Sequence, residues 1–318
     1  MSGCHPVAAR LYTWEMEFRQ RKRTASMEKG TQGMSSRLGT TLEMIKWEHS
    51  VFALPFALTG AMLAAGGLPP WRVLFWIVVC MIAARSAAMA FNRWADAEID
   101  RVNPRTATRA IPAGLLSPQF TIGFTIVSAA VFLVAASRLN RLTLELAPLA
   151  LAVILFYSYA KRFTHWSHLV LGLALGIAPS AAWIAVRGSL DPRIVVLTGA
   201  VLFWVGGFDV LYACQDYEHD LQAGLHSIPQ AFGLQAAFWI ARAMHVTMLL
   251  LLVLLIVLFH LSWITVVGVV AVAAMLIYEH QLVSPKDLRR LNAAFFTMNG
   301  IISFVFFLSV ATDLLFRK

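Results

Sequence analysis

Long apolar runs separated by short polar breaks fill the chain beyond residue 45. Nine of them come near the ~20 residues that a helix needs to cross a bilayer. They lie at about residues 48–66, 71–91, 119–138, 142–160, 167–187, 193–214, 234–259, 262–280 and 291–315. Backbone groups in lipid must be satisfied within their own segment, so helices are the reading. The pattern predicts an all-α integral membrane bundle of nine transmembrane helices over residues 46–318. Pro55, Pro148 and Pro179 fall inside runs and are expected to kink them. Gly172 and Gly176 form a small-xxx-small pair, which predicts close helix packing.

Residues 1–45 break the pattern. They are polar and basic, without sustained helical periodicity. No apolar core of about 7–15 residues ends there in a small-residue cleavage site, so a secretory signal peptide is not expected. The segment reads as a disordered cytoplasmic tail. Met34 opens a more compact start, "MSSRLGTTLEMIKWEHS", and residues 1–33 are expected to be dispensable or to come from an upstream start site.

Composition supports the membrane reading. The chain is 59% apolar and 14% charged, with mean hydropathy +0.69. Its net charge of +9 does not point to nucleic acid, because no soluble domain is large enough to carry such a partner. Positive-inside bias accounts for it instead. With nine spans and the N-terminus inside, the inner segments are the tail, 92–118, 161–166, 215–233 and 281–290. Arg72, Arg138, Arg141, Arg187, Arg193, Arg317 and Lys318 fall on the other side. The balance favours the N-terminus inside, largely through the tail. Cys4, Cys80 and Cys214 have no metal-ligand spacing, and the latter two read as buried packing. Segment 215–233 lacks Lys and Arg altogether yet carries three acids.

Those acids repeat an earlier arrangement. Asp96 and Asp100 lie four apart in "DAEID", with Asn92 a turn before them; Asp216 and Asp220 lie four apart in "DYEHD". Each string reads DxExD, each precedes an Ile-Pro pair (Ile111-Pro112, Ile228-Pro229), and each ends an even-numbered span. Such duplication places a shared site at the interface of two helical halves. Residues four apart share a helix face, where like charges repel unless a cation sits between them. Carboxylate pairs suit Mg²⁺, which bridges one or two carboxylates to substrate phosphates. Arginines and Lys161 suit the phosphate oxygens. The constellation reads as a Mg²⁺–diphosphate site at a membrane face; the bland alternative is a solvated helix end with scattered acids.

Asn92-x3-Asp96-x3-Asp100 together with Asp216-x3-Asp220 resembles the UbiA superfamily of membrane aromatic prenyltransferases. "RTATRAIPAG" (105–114) resembles that family's RT-x-x-R-P segment, with Ala110 as a departure. "YSYAKRFT" (157–164) resembles its Tyr-x-x-x-Lys-Arg-x-Thr segment. The similarity runs over about residues 44–315. "KWEHSVFALPFALTGAML", "ARSAAMAFNRWADAEIDRVNPRTATR" and "GLHSIP" look most like the 4-hydroxybenzoate polyprenyltransferase-like branch, which includes the prenyltransferase of the futalosine route to menaquinone.

The resemblance implies a central cavity open at the cytoplasmic side of a bacterial inner membrane. It implies Mg²⁺-assisted transfer of a polyprenyl group from its diphosphate to an aromatic acid such as 4-hydroxybenzoate, in ubiquinone or menaquinone synthesis. Partners would be the polyprenyl diphosphate, the aromatic carboxylic acid and membrane lipid. By resemblance Asn92, Asp96, Asp100, Asp216 and Asp220 take the Mg²⁺–diphosphate, and Lys161, Arg105 and Arg109 contact phosphate. Membrane anchoring is the competing reading for each arginine. Runners-up are the same chemistry on 1,4-dihydroxy-6-naphthoate and transfers of the haem O synthase, chlorophyll synthase or archaeal ether-lipid type. A secondary transporter is the alternative of a different class.

Other candidates lie deeper. Arg85 precedes Asn92 by seven residues, hence on the same face and ~10 Å further into the span. A charge there usually faces a polar cavity or a partner. It is a candidate for the acceptor carboxylate, or a structural partner of Glu48 or another buried acid. Asp209 precedes Asp216 by seven and is expected to line the cavity, orienting Tyr212, binding the acceptor or carrying a proton away. Tyr157 and Tyr212 are cavity or interfacial aromatics. His49 is a general base or an interfacial histidine. Arg101 reads as an anchor or local counterion, Glu98 and Glu218 as solvated acids, and His219 and His226 lack the further ligands a zinc site needs.

Overall fold

The computed structural model describes residues 34–45, 53–288, 291 and 298–316. Helices in chain order are α1 (Met34–Ile45), α2 (Leu54–Ala65), α3 (Trp71–Ala95), α4 (Ala97–Val102), α5 (Pro118–Ser137) and α6 (Arg141–Ala160). They continue with α7 (Ser167–Arg187), α8 (Pro192–Ala213), α9 (Tyr217–Ala223), α10 (Ile228–Leu258), α11 (Trp263–Leu282) and α12 (Asn299–Phe316).

Eight of the nine predicted runs are helices long and apolar enough to cross a membrane, among the described residues. The first run appears as α2, whose 12 residues span only ~18 Å. The start of that run, residues 48–52 with Glu48 and His49, lies outside the described residues. Many apolar side chains on the spans face away from the interior, Ile126, Leu250 and Val270 among them, as expected where lipid is the solvent.

Three expectations need correction. Met34–Ile45, assigned to a tail without helical order, is a helix. Met34, Leu38, Leu42 and Ile45 make a stripe at spacings of four, four and three, which is a helical signal. Pro55 does not interrupt the described helix; it stands in the first turn of α2, where its missing N–H leaves no helical bond unmade. Pro148 and Pro179 do lie inside α6 and α7. The seventh run begins six residues earlier than predicted, at Ile228, and breaks at Gly233, whose φ of 79° a side-chain-bearing residue rarely adopts. Ser227 caps this early turn by accepting a hydrogen bond from the Gln230 N–H.

Within the unit Met44–Lys318, α8 packs between α7 and α10, α2 lies on α7, and α3 pairs with α5. Phe56, Trp204 and Phe306 stack at the crossing of α2, α8 and α12, with ring centroids 4.9 Å and 5.6 Å from Phe56. Small residues set the closest approaches. A Cβ at Gly172 would collide with the Leu202 carbonyl, one at Gly176 would lie 2.8 Å from the Thr198 carbonyl, and one at Gly60 would collide with the Pro179 carbonyl. The small-xxx-small pair therefore brings α7 against the α8 backbone, as predicted. Gly172→Ala is expected to lower the thermal unfolding midpoint in detergent, because backbone cannot yield to the added methyl. Gly123→Ala in α5, where a Cβ meets nothing within 4 Å, serves as the control and should leave the midpoint unchanged or raise it.

Candidate active site

Both acidic motifs sit where a long helix hands over to a short one. α3 ends at Ala95, and Asp96 leaves the helical region at φ −94°, ψ 4° before α4 begins. α8 ends at Ala213, a single 3₁₀ turn follows, and Asp216 takes φ −97°, ψ 6° before α9. The pseudo-repeat thus extends to backbone geometry, with the first acid of each pair in the sparsely used bridge region. Hydrogen bonds from Asp96 N to Asn92 O and from Asp100 N to Asp96 O, 2.9 and 2.8 Å, carry the four-residue register across the junction. Asn92, Asp96 and Asp100 therefore stay on one face.

The loop after α4 brings cations to these acids. The Asn103 side chain accepts from the Arg105 N–H at 2.9 Å, shaping a tight turn. Arg105 then forks onto Asp216, Nε to Oδ1 at 2.8 Å and Nη2 to Oδ2 at 2.5 Å. Asn103 donates to the same carboxylate at 3.1 Å. Nη1 of Arg105 reaches the Tyr212 hydroxyl at 3.2 Å. Burial acts to lower the Arg105 pKa, and its bonds to Asp216 outweigh that and hold it above its ordinary value. Arg109 Nη1 donates to both oxygens of Asp100, at 2.7 and 2.8 Å.

Lys161 links the two motifs a second way. Its ammonium donates to Asp96 Oδ2 at 2.8 Å, while its carbonyl accepts from the His226 N–H at 2.8 Å. Asn92 also donates to Asp96 Oδ2. Asp220 is buried and accepts from the Ser227 hydroxyl at 2.9 Å. All eight residues assigned to metal and diphosphate are thereby gathered through direct bonds or neighbouring turns. Arg101 pairs with the exposed Glu98, a local counterion, and Glu218 is exposed.

The deeper candidates divide. Tyr157 lies one helical turn before Lys161, on α6, in electrostatic range of Asp209, Asp96, Arg93 and Arg109. Asp209 Oδ2 is held by His168 Nδ1 at 2.7 Å, whereas Tyr212 takes Arg105. Arg85 is partly buried and its Nε has no hydrogen-bond partner.

Three contributors escaped the sequence reading. Arg93 is buried and in electrostatic range of Asp96, Asp100, Arg109 and Tyr157. Its place three before Asp96 and seven before Asp100 put it on their face, which was the available signal. Arg162 donates to the Ala95 carbonyl at 2.5 Å and lies 3.6 Å from Asp96 Oδ1. His168 had no sequence signal, since its partner is 41 residues away.

The donor set suits a hard divalent cation. The motif ligands are oxygen atoms, and Asp96 Oδ1 is buried without a hydrogen-bond partner. Among the described residues no three His, Cys, Asp or Glu side chains converge as a complete metal cage. Mg²⁺ commonly takes one or two carboxylates and completes its shell with substrate oxygens.

Residues 53–307 match the UbiA prenyltransferase family. The chain belongs to that family. It is 33% identical to a 4-hydroxybenzoate solanesyltransferase from Synechocystis, over 84% of this chain and 92% of the relative. It is 28% identical to a 4-hydroxybenzoate octaprenyltransferase from Aliivibrio fischeri, over 82% and 90%. A UbiA homologue from Aeropyrum pernix, solved in its apo form, superposes with a TM-score of 0.77 at 30% identity, over 84% of this chain and 98% of that one. A UbiA homologue from Archaeoglobus fulgidus bound to DMAPP and Mg²⁺ shares the fold, with a TM-score of 0.69 at 20% identity over 86% and 99%. This UbiA chain is therefore an integral membrane prenyltransferase, which decides against the transporter alternative.

Arg109→Ala would leave the buried Asp100 without its hydrogen-bonded cation. The expected loss is up to about 3 kcal/mol, the low end for a broken buried pair because Arg109 is itself partly exposed. Adding Asp100→Asn should recover part of it, which a double-mutant cycle on unfolding in detergent would read.

Proposed function

We propose that this prenyltransferase transfers a polyprenyl group from an allylic polyprenyl diphosphate to the ring of an aromatic acid such as 4-hydroxybenzoate. It would do so for quinone synthesis, at the cytoplasmic face of a bacterial inner membrane. The observation carrying the reading is the Arg105–Asp216 bond, which joins the first motif's basic loop to the second motif's acid. The names of the Synechocystis and Aliivibrio fischeri relatives support the acceptor.

Asn92, Asp96, Asp100, Asp216 and Asp220 would hold Mg²⁺, and the ion supplies positive charge against the leaving diphosphate. Lys161, Arg105 and Arg109 bind phosphate oxygens and stabilise the charge that grows as the allylic C–O bond breaks. In the structure these cations are bonded to Asp96, Asp216 and Asp100. Donor binding would exchange partners, with carboxylates turning to the metal and cations to the phosphates. The apolar helices around the site exclude water from the allylic cation until the ring carbon attacks. Arg85, ~10 Å below Asn92 with an unsatisfied Nε, would bind the carboxylate of the acceptor. Tyr157 and Asp209 would line the acceptor side.

Membranes bearing the protein, given a long-chain polyprenyl diphosphate, Mg²⁺ and 4-hydroxybenzoate, should form prenylated acid detectable by mass. Chelation should abolish it, and Asp96→Ala or Asp216→Ala should lower the rate at least ~100-fold. Product from 1,4-dihydroxy-6-naphthoate but not from the benzoate would move the enzyme to the futalosine route. Arg85→Ala should raise the acceptor KM about tenfold or more while leaving the donor KM in place; an unchanged acceptor KM would refute the carboxylate role.

A further inference from the structure

Below the diphosphate rim, α7 and α8 carry a buried dyad that the motifs do not include. His168, in the first turn of α7, places Nδ1 2.7 Å from Asp209 Oδ2 on α8. Its Nε2 accepts from the Ile228 N–H at 3.2 Å. An N–H cannot donate to a protonated nitrogen, so that bond fixes the tautomer: Nε2 is the bare nitrogen and Nδ1–H donates to Asp209. His168 is 3% exposed, whereas the Asp209 side chain keeps 17%. One carboxylate face is thus clamped and accessible surface remains on the group.

The clamp also fixes depth. Asp209 lies two helical turns before Asp216, ~10 Å further from the diphosphate end. Tyr157 lies in electrostatic range of Asp209 and of Asp96. The imidazole engages Oδ2 of Asp209, which leaves Oδ1 as the acceptor on the exposed side of the group. Such a group repels an acceptor's carboxylate and attracts a hydroxyl. Arg85 offers the acid the opposite charge. With the role proposed above for Arg85, the two groups would hold opposite ends of a hydroxy-acid acceptor.

We propose that Asp209, clamped by His168, accepts a hydrogen bond from the ring hydroxyl of the acceptor, and that His168 is the positioning residue that aims it. This inference rests on the aromatic-acceptor reading above. The bond raises electron density on the ring carbon beside the hydroxyl, the carbon that attacks the allylic centre. His168 also ties this carboxylate to the second motif, because Ile228 follows Ser227, which holds Asp220.

Two isosteric variants separate the roles. His168→Asn keeps a donor near the Nδ1 position and loses the acceptor for Ile228. His168→Gln keeps an acceptor near the Nε2 position and loses the donor to Asp209. In membranes where the wild-type enzyme prenylates 4-hydroxybenzoate, His168→Gln should lose about 10- to 100-fold in kcat/KM for the acceptor, with the donor KM held within about twofold. His168→Asn should retain most of the acceptor kcat/KM. Asp209→Asn should resemble His168→Gln. Equal losses in the Gln and Asn variants, or a loss confined to the donor KM, would mean a purely structural histidine and overturn the inference. A wild-type enzyme inactive on every phenolic acid would overturn the acceptor reading itself, a distinct outcome.

Discussion

Arg105 and Asp216 meet fork to fork across 111 residues of chain. Each comes from a segment that would be costly alone: a basic loop and an acid at the end of a mostly buried helix. Planar guanidinium and carboxylate match in two parallel bonds, which fixes orientation as well as distance. Asn103 and Tyr212 hold the same pair from either side. The two acidic turns therefore face one another at a set separation. In the function proposed here a diphosphate with its metal takes ligands from both turns, and this contact sets their spacing.

Charge balance extends the same logic over the whole rim. Asp96 has Lys161, Asp100 has Arg109 and Asp216 has Arg105. Unpaired, these acids would repel one another along each helix face and carry a large desolvation cost beside an apolar bundle. Paired, they form a charge-balanced cluster, and in the function proposed here donor binding would exchange the partners. Arg93, buried among Asp96, Asp100 and Arg109, adds a further cation to the balance.

Helix packing supplies the deeper level. Gly172 lets α7 press against the α8 carbonyl at Leu202, one turn beyond His168. That approach lets an imidazole on α7 reach Asp209 on α8. The small residues that read as mere packing in a membrane helix thus set the reach of a polar contact at the site.

Much of this protein is written locally. Apolar runs of bilayer length gave the spans, because hydropathy is a property of each segment alone. The four-residue spacing of Asn92, Asp96 and Asp100, and of Asp216 and Asp220, placed each set on one face, because helical periodicity needs no partner. Arg93 is legible by the same rule, three before Asp96. The early turn at Ile228 was not legible by hydropathy, since a Ser227 cap and a Gly233 break decide it. The pairings belong to the tertiary structure. Which base neutralises which acid, that Lys161 touches one motif with its side chain and the other with its carbonyl, and that His168 clamps Asp209 all depend on helices distant in sequence arriving side by side. Periodicity repeats along one helix and carries no information about its neighbour. Only packing, set by small residues and satisfied charges, chooses the neighbour.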